Sequence, residues 1–383
     1  MPVVDKATHI GVHRSSTDTQ MYTAEENIKK ARRALYSLMG SGLYGENGID
    51  PGAAIIMLKT YVMPILLYGL EITLANPKAI TKLQSFHKRT VKSILSLPIT
   101  TADPAVYILS GLLPIEAEID IKAITILGNI LCGNKNAIEW KIAERQLTIK
   151  NIDSNSWFIA MRKICMKYNL QDPESFLDKQ ITKSKWKRIM VDKIKQIWRN
   201  RILSEKDLYE SLKYLSPIFN VGKIHPLLDI QLVNTRDVQR LAPRIKITTG
   251  TYLLQEHRAK FDHVNKNSEC LLCKKYPETL EHFLLTCCTL EKIREPIVKK
   301  IIDAASIILG KQRSMISINL MQLIIDPYQI LSQQHSTKYL SISRDINKLV
   351  EPQCRKLVYL LHTERYRLLQ QCSTDRHSKR KRR

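Results

Sequence analysis

Apolar positions recur every three to four residues along most of this chain, the spacing of amphipathic helices. Residues 24–39 place Ile28, Ala31, Leu35 and Leu38 on one stripe. Gly40, Gly42, Gly45 and Gly48 then mark a loop. Asp50 before Pro51 reads as an N-cap followed by proline in a first turn, so a long apolar helix is expected next, kinked near Pro64. Pro77 opens another helix that ends before Pro98, with Lys78, Lys82, His87, Lys88, Arg89 and Lys92 on its outward face. Pro104 and Pro114 begin two more. The second spans Ile115–Leu131 and carries Glu116, Glu118 and Asp120 early, where acidic groups suit the helix dipole.

The stretch from Asn134 to Ser156 is more polar and reads as a boundary. From Ser184 to Leu215 the pattern predicts a long basic helix. Trp186, Ile189, Val191, Ile194, Ile197 and Trp198 would form its buried stripe, with Lys185, Lys187 and Arg188 among the outward cations. Strand signals are few: residues 9–13 and Arg244–Thr249 are short candidates. A mostly α fold follows.

Composition adds two constraints. Hydrophobic residues at 44% and charged residues at 25% are those of a folded protein, against wholesale disorder. Sixty Lys and Arg against 36 Asp and Glu leave a net charge of +24, a field that favours polyanions, nucleic acid first among them. A membrane partner is not expected. The best apolar stretch, residues 53–75, has a charge-free run of only eleven residues, too short to span a bilayer. Residues 1–19 lack the apolar run of a secretory signal, so a nuclear or cytoplasmic setting with reduced cysteines is expected. Cys132 and Cys165 lie among apolar residues and read as core.

Four of the remaining positions make a pattern. Cys270, Cys273, His282 and Cys287 follow C-x2-C-x8-H-x4-C. Two thiolates two residues apart can face one ion from a tight turn, and a later His and Cys can complete a tetrahedron. That donor mix suits Zn²⁺, and four protein ligands leave no open position for hydrolysis, so the expected cofactor is a structural zinc. Cys288 competes with Cys287 for the fourth place. On a helix continuing from His282 neither thiol would share its face, so the helix must loosen or end first, and Cys287 is preferred. Two unrelated cysteine pairs beside a surface histidine are the alternative.

These residues resemble the C-terminal part of non-LTR (LINE-type) retrotransposon reverse transcriptases. The likeness is carried by residues 244–261, with Thr249, Gly250, Thr251, Tyr252, Leu254, Gln255 and Arg258 in order, and by the array ending His282, Phe283, Leu284, Leu285 and Cys287. Upstream, His9–Val12 is similar to the strand closing the family's palm. Ala31–Ala34 and Tyr61–Glu71 resemble its thumb helices, and Gly111–Glu116 its next block. The resemblance implies a palm remnant over 1–20, a helical thumb-like domain over 21–150 and a basic helical linker over 151–243. A CCHC zinc module over 244–300, a helical region over 301–370 and a basic tail over 371–383 would follow. The thumb would hold a template–primer duplex; the zinc module and basic helices would hold template RNA or target DNA, alongside other parts of the element's machinery. Arg244, Lys246, Arg258, Lys260, Lys185, Lys187, Arg188, Arg380, Lys381 and Arg382 are the expected nucleic-acid contacts. Tyr252, Phe261 and Tyr276 could stack on unpaired bases or belong to the core. Family polymerases hold two Mg²⁺ on palm aspartates that include an adjacent pair. No Asp-Asp pair occurs here, so neither polymerase chemistry nor a small-molecule substrate is expected.

Two other readings share these residues: a stand-alone, domesticated nucleic-acid-binding zinc protein, and a helical interaction protein with a structural zinc. A zinc ubiquitin ligase would need eight ligands for two ions, and one set is present. The last eight residues hold six Lys or Arg and read either as a solvated, disordered tail or as a nuclear-import signal at Lys379–Arg383.

Overall fold

Capping side chains and prolines start the helices where the sequence places them. The computed structural model describes residues 5–46, 48–179, 181–229, 235–261, 267–312, 319–329 and 339–380. Asp18 accepts from the Met21 amide at 2.9 Å and opens α1, Thr19–Met39. Asp50 accepts from Ala53 at 2.8 Å at the head of α2, Pro51–Met57. A widened turn, Leu58–Val62, leads into α3, Met63–Leu66. Pro64 lacks an amide hydrogen, and the wider turn is how the helical run absorbs the missing bond. After α4, Leu70–Thr73, Asn76 caps α5, Pro77–Ile94. Then come α6, Asp103–Ser110, and α7, Ile115–Leu131.

Helix α7 is central to this half. It packs against α4, α5, α8 (Ile138–Ile149) and α9 (Trp157–Lys167). It also packs against the basic helical run of α10 (Lys183–Trp186), a widened turn (Lys187–Val191) and α11 (Asp192–Asp207). Trp186 lies over Gly128 of α7 and donates to the Ile124 carbonyl at 3.1 Å.

The other half is built on the last helix. Helices α12 (Thr235–Thr248), α13 (Gln255–Phe261), α14 (Glu291–Gln312), α15 (Leu320–Ile325) and α16 (Tyr339–Asp345) precede α17, Glu351–Arg380. Helix α17 packs against α12, α14 and α15. Residues 213–229 join the halves without helix, and their backbone bonds point both ways. The Gly222 and His225 amides donate to Gly111 and Leu109, at 2.7 and 3.0 Å, while Ser216 donates to the buried carboxylate of Asp326 at 2.9 Å. Among the described residues no helix is long and apolar enough to cross a membrane.

The mostly α expectation holds, and several local expectations change. Residues 9–13 are not one strand: His9 ends β1, Lys6–His9, Val12 and His13 begin β2, Val12–Ser15, and Ile10 and Gly11 between them form the hairpin turn, with φ of 50° and 75°. Both central residues left-handed is the turn that matches strand twist. Arg244–Thr248 is the end of helix α12 and Thr249 the turn after it, because burying Ile245, Ile247 and Thr248 against neighbouring elements outweighs their β-branched preference. The polar stretch 134–156 contains α8, which buries Trp140, Ala143 and Leu147. The basic helix stops at Asp207, short of Leu215. His87 and Lys92 point inward: Lys92 is 6% exposed and donates to the Ile99 and Thr101 carbonyls and to Asp103, closing the loop between α5 and α6. The tail remains helical to Arg380, and residues 381–383 lie outside the described residues. The expected boundaries at 243/244 and 300/301 fall inside α12 and α14.

Two measurements follow. A Cβ on Gly128 would meet Trp186 Nε1 at 2.2 Å. Gly→Ala inside a helix ordinarily stabilises by up to about 1 kcal/mol; here overpacking should reverse the sign and cost about 1–3 kcal/mol. A thermal melt of Gly128→Ala that rises would refute the packing. His87 is 1% exposed, neither ring nitrogen has a hydrogen-bond partner, and burial, with Lys88 beside it, pushes its pKa down to about 4. The unfolded ring titrates near 6.5, so its contribution is intact above that pH and fades as pH falls toward 4, by up to about 3 kcal/mol. Denaturant unfolding at pH 7 and pH 4.5 should show His87→Leu losing less stability on acidification than the parent.

Candidate metal centre

The sulfur and imidazole ligands come together through three local devices. The first is a tight knuckle. Cys270 donates its amide to the Tyr276 carbonyl at 2.8 Å, and its own carbonyl accepts from Lys274 at 2.8 Å. Lys274 sits at φ 54°, a left-handed position that glycine fills at less cost. A bridge between Glu269 and Pro277 closes the loop, so Cys270 and Cys273 face the same side.

The second device answers the question of the fourth ligand. Residues His282–Thr286 form a single widened turn, with the Cys287 amide bonded to the His282 carbonyl at 2.8 Å. The chain then leaves the helix: Cys287 is extended, at ψ 115°. The helix therefore loosens and ends between the two ligands, and Cys287, not Cys288, turns back to the cluster. Cys288 is exposed. The third device orients the ring. His282 Nδ1 lies 3.1 Å from the Thr286 hydroxyl; with its hydrogen donated there, Nε2 is left as the lone pair facing the thiols.

The ligand atoms of Cys270, Cys273, His282 and Cys287 all lie within 4.8 Å of one another. Cys270 and Cys287 sulfurs are 3.9 Å apart, and Cys273 Sγ is 3.3 Å from His282 Nε2. Donors about 2.3 Å from one ion at tetrahedral angles would be separated by about 3.8 Å, so the group fits a four-coordinate ion. The Cys270 thiol, with the Thr289 amide, holds Cys287 below the ordinary thiol range despite its burial. The group could bind a metal ion.

The knuckle is bolted to the C-terminal helix. Glu278 receives Arg365 Nε and Nη2 of α17 at 2.7 and 2.8 Å in the core, and the half-buried Gln255 amide at 2.7 Å. Tyr252 stacks on Phe283 with ring centres 5.4 Å apart, and its hydroxyl meets His362 of α17 at 2.9 Å.

The expected nucleic-acid contacts divide by exposure. Arg244 is a correction: it is fully buried, bonded to Glu351 at 2.8 Å and to the Ile325 carbonyl at 3.2 Å, so it has no surface to offer a phosphate. Tyr252 is core and offers no stacking face. Tyr276 is 62% exposed, its ring 5.9 Å from His282. Lys185, Lys187, Arg188, Arg258 and Lys260 are exposed, Lys260 in a surface pair with Glu256. Lys246 is half-buried beside Glu46 at 3.6 Å. Lys381, Arg382 and the side chains of Arg380 and Phe261 lie outside the described residues. Sequence reasoning missed Thr286, four residues past His282 and legible by that spacing, and it missed the Glu278–Arg365 pair, which 87 residues separate.

Compared with family models, curated proteins and solved structures, the chain matches none.

Purified protein is expected to hold one metal ion per chain, with Cys273→Ser and Cys287→Ser each losing it and Cys288→Ser retaining it. Elemental analysis decides this. Metal kept by Cys287→Ser and lost by Cys288→Ser would exchange the fourth ligand.

Proposed function

We propose that this chain is a nucleic-acid-binding protein of the non-LTR reverse transcriptase kind, gripping RNA or DNA through backbone contacts without a polymerase site of its own. The ion in its CCHC module is zinc, which three thiolates and one imidazole favour. Its role is structural. The module is too small to bury a stable core unaided, and the free energy of metal binding becomes folding free energy.

One observation carries the reading. Helices α1 and α5 flank an open groove of about 630 Å³. Lys29, Arg32, Lys82 and Arg89 rim it, and Tyr36 and Phe86 lie along it. Lys29 and Lys82 are held in surface pairs with Glu26 and Glu25, pairs that contribute little in water. Arg32 and Arg89 make no ion pair among the described residues, which leaves both guanidinium groups able to meet phosphates. Cations beside aromatic rings are the pattern of a site that tracks a backbone and stacks bases. The exposed Lys185, Lys187 and Arg188 add a second basic face. Contacts of this kind position nucleic acid without reading its sequence.

The rival reading, a helical interaction protein with a structural zinc, draws support from the burial of Arg244 and Tyr252, which makes those two positions scaffold. A salt titration separates the two. Affinity for single-stranded RNA, followed by fluorescence anisotropy, should fall steeply with salt. Arg32→Gln with Arg89→Gln should flatten the log–log slope by about 1.4, at about 0.7 per phosphate. Weak binding at low salt, or an unchanged slope, favours the scaffold.

A further inference from the structure

A dication held by three thiolates and one neutral imidazole carries one net negative charge. Cys270, His282 and Cys287 are buried, so that charge is largely withdrawn from water. A buried charge is costly unless an opposite charge stands beside it. Arg294 lies seven residues beyond Cys287, in the first turns of α14, and is 7% exposed. Its Nη2 donates to the Cys287 carbonyl at 2.9 Å, and its Nη1 is buried with no hydrogen-bond partner. No carboxylate pairs with it among the described residues. The acidic groups near it are Cys287, exposed Glu291 one turn earlier, and Cys288. A buried guanidinium without a carboxylate thus sits against a buried anionic centre.

We propose that Arg294 is the counter-ion of the metal centre, a positioning residue that balances the charge of the bound set and fixes the backbone from which the Cys287 thiolate projects. It rests on the metal reading above. Partners of this kind, beyond the ligands themselves, change metal affinity by about 10–100-fold when removed.

Arg294→Gln keeps an amide donor and loses the charge; Arg294→Lys keeps the charge and loses the planar fork. Zn²⁺ affinity is measured by competition with a chromophoric chelator, with circular dichroism recorded alongside. Arg294→Gln should bind Zn²⁺ about 10–100-fold more weakly than the parent, and Arg294→Lys should recover most of the loss. Parent-like affinity in Arg294→Gln, or equal loss in both variants, overturns the proposal. Should Arg294→Gln not fold, Arg294→Lys decides alone: near-parental affinity supports the counter-ion, and a loss within the 10–100-fold range overturns it. A parent that binds no Zn²⁺ fails the metal reading itself, a result seen before any substitution is made.

Discussion

The C-terminal half depends on one constraint: a charge taken into the core must be met there. Helix α17 meets two of them. Glu351, at its start, takes Arg244 of α12 at 2.8 Å, and Arg365, near its middle, takes Glu278 of the knuckle in a two-point pair. Breaking such a pair strands the surviving charge in a medium that cannot solvate it, at a cost of about 3–5 kcal/mol. The helix is therefore fastened to elements that lie far from it in sequence. A knuckle fastened this way is part of the core, since the stacking pair Tyr252–Phe283 and the carboxylate Glu278 are also the ground on which α17 rests.

Much of this was legible along the chain. Asp50, Pro77, Pro104 and Pro114 start helices at the expected places, because capping and proline chemistry act within a few residues. The CCHC spacing was legible for the same reason, and the argument that the helix must loosen before Cys287 follows from helical geometry alone. Legibility ended where the deciding partner was remote. Arg244 looks like any surface cation until Glu351 is brought to it from 107 positions away. His87 and Lys92 lie on a helix whose Lys78, Lys82 and Arg89 face outward, and only the packing of α5 turns those two in. Tyr252 was open between base and core, and His362 and Phe283 decided it.

The same sorting changes what the net charge of +24 means. Arg244, Arg294, Arg355 and Arg365 are interior residues. Among the cations that a polyanion could meet are those on α1, α5 and the run from α10 to α11, where lysines and arginines stand on outer faces, and Arg258 and Lys260 of α13. Arg244 and Tyr252 thus belong to the framework, and much of the exposed basic surface lies on α1, α5 and the run from α10 to α11.

The widened turn at His282–Thr286 also bears on how the chain tolerates change in length. It spends one extra residue between two ligands, and the next residue is again a cysteine. Deleting any one of residues 283–286 would bring Cys288 to the spacing that Cys287 now holds. The doubled cysteine keeps a candidate ligand at that spacing after a one-residue contraction, a redundancy written into the register of the chain and invisible to substitution.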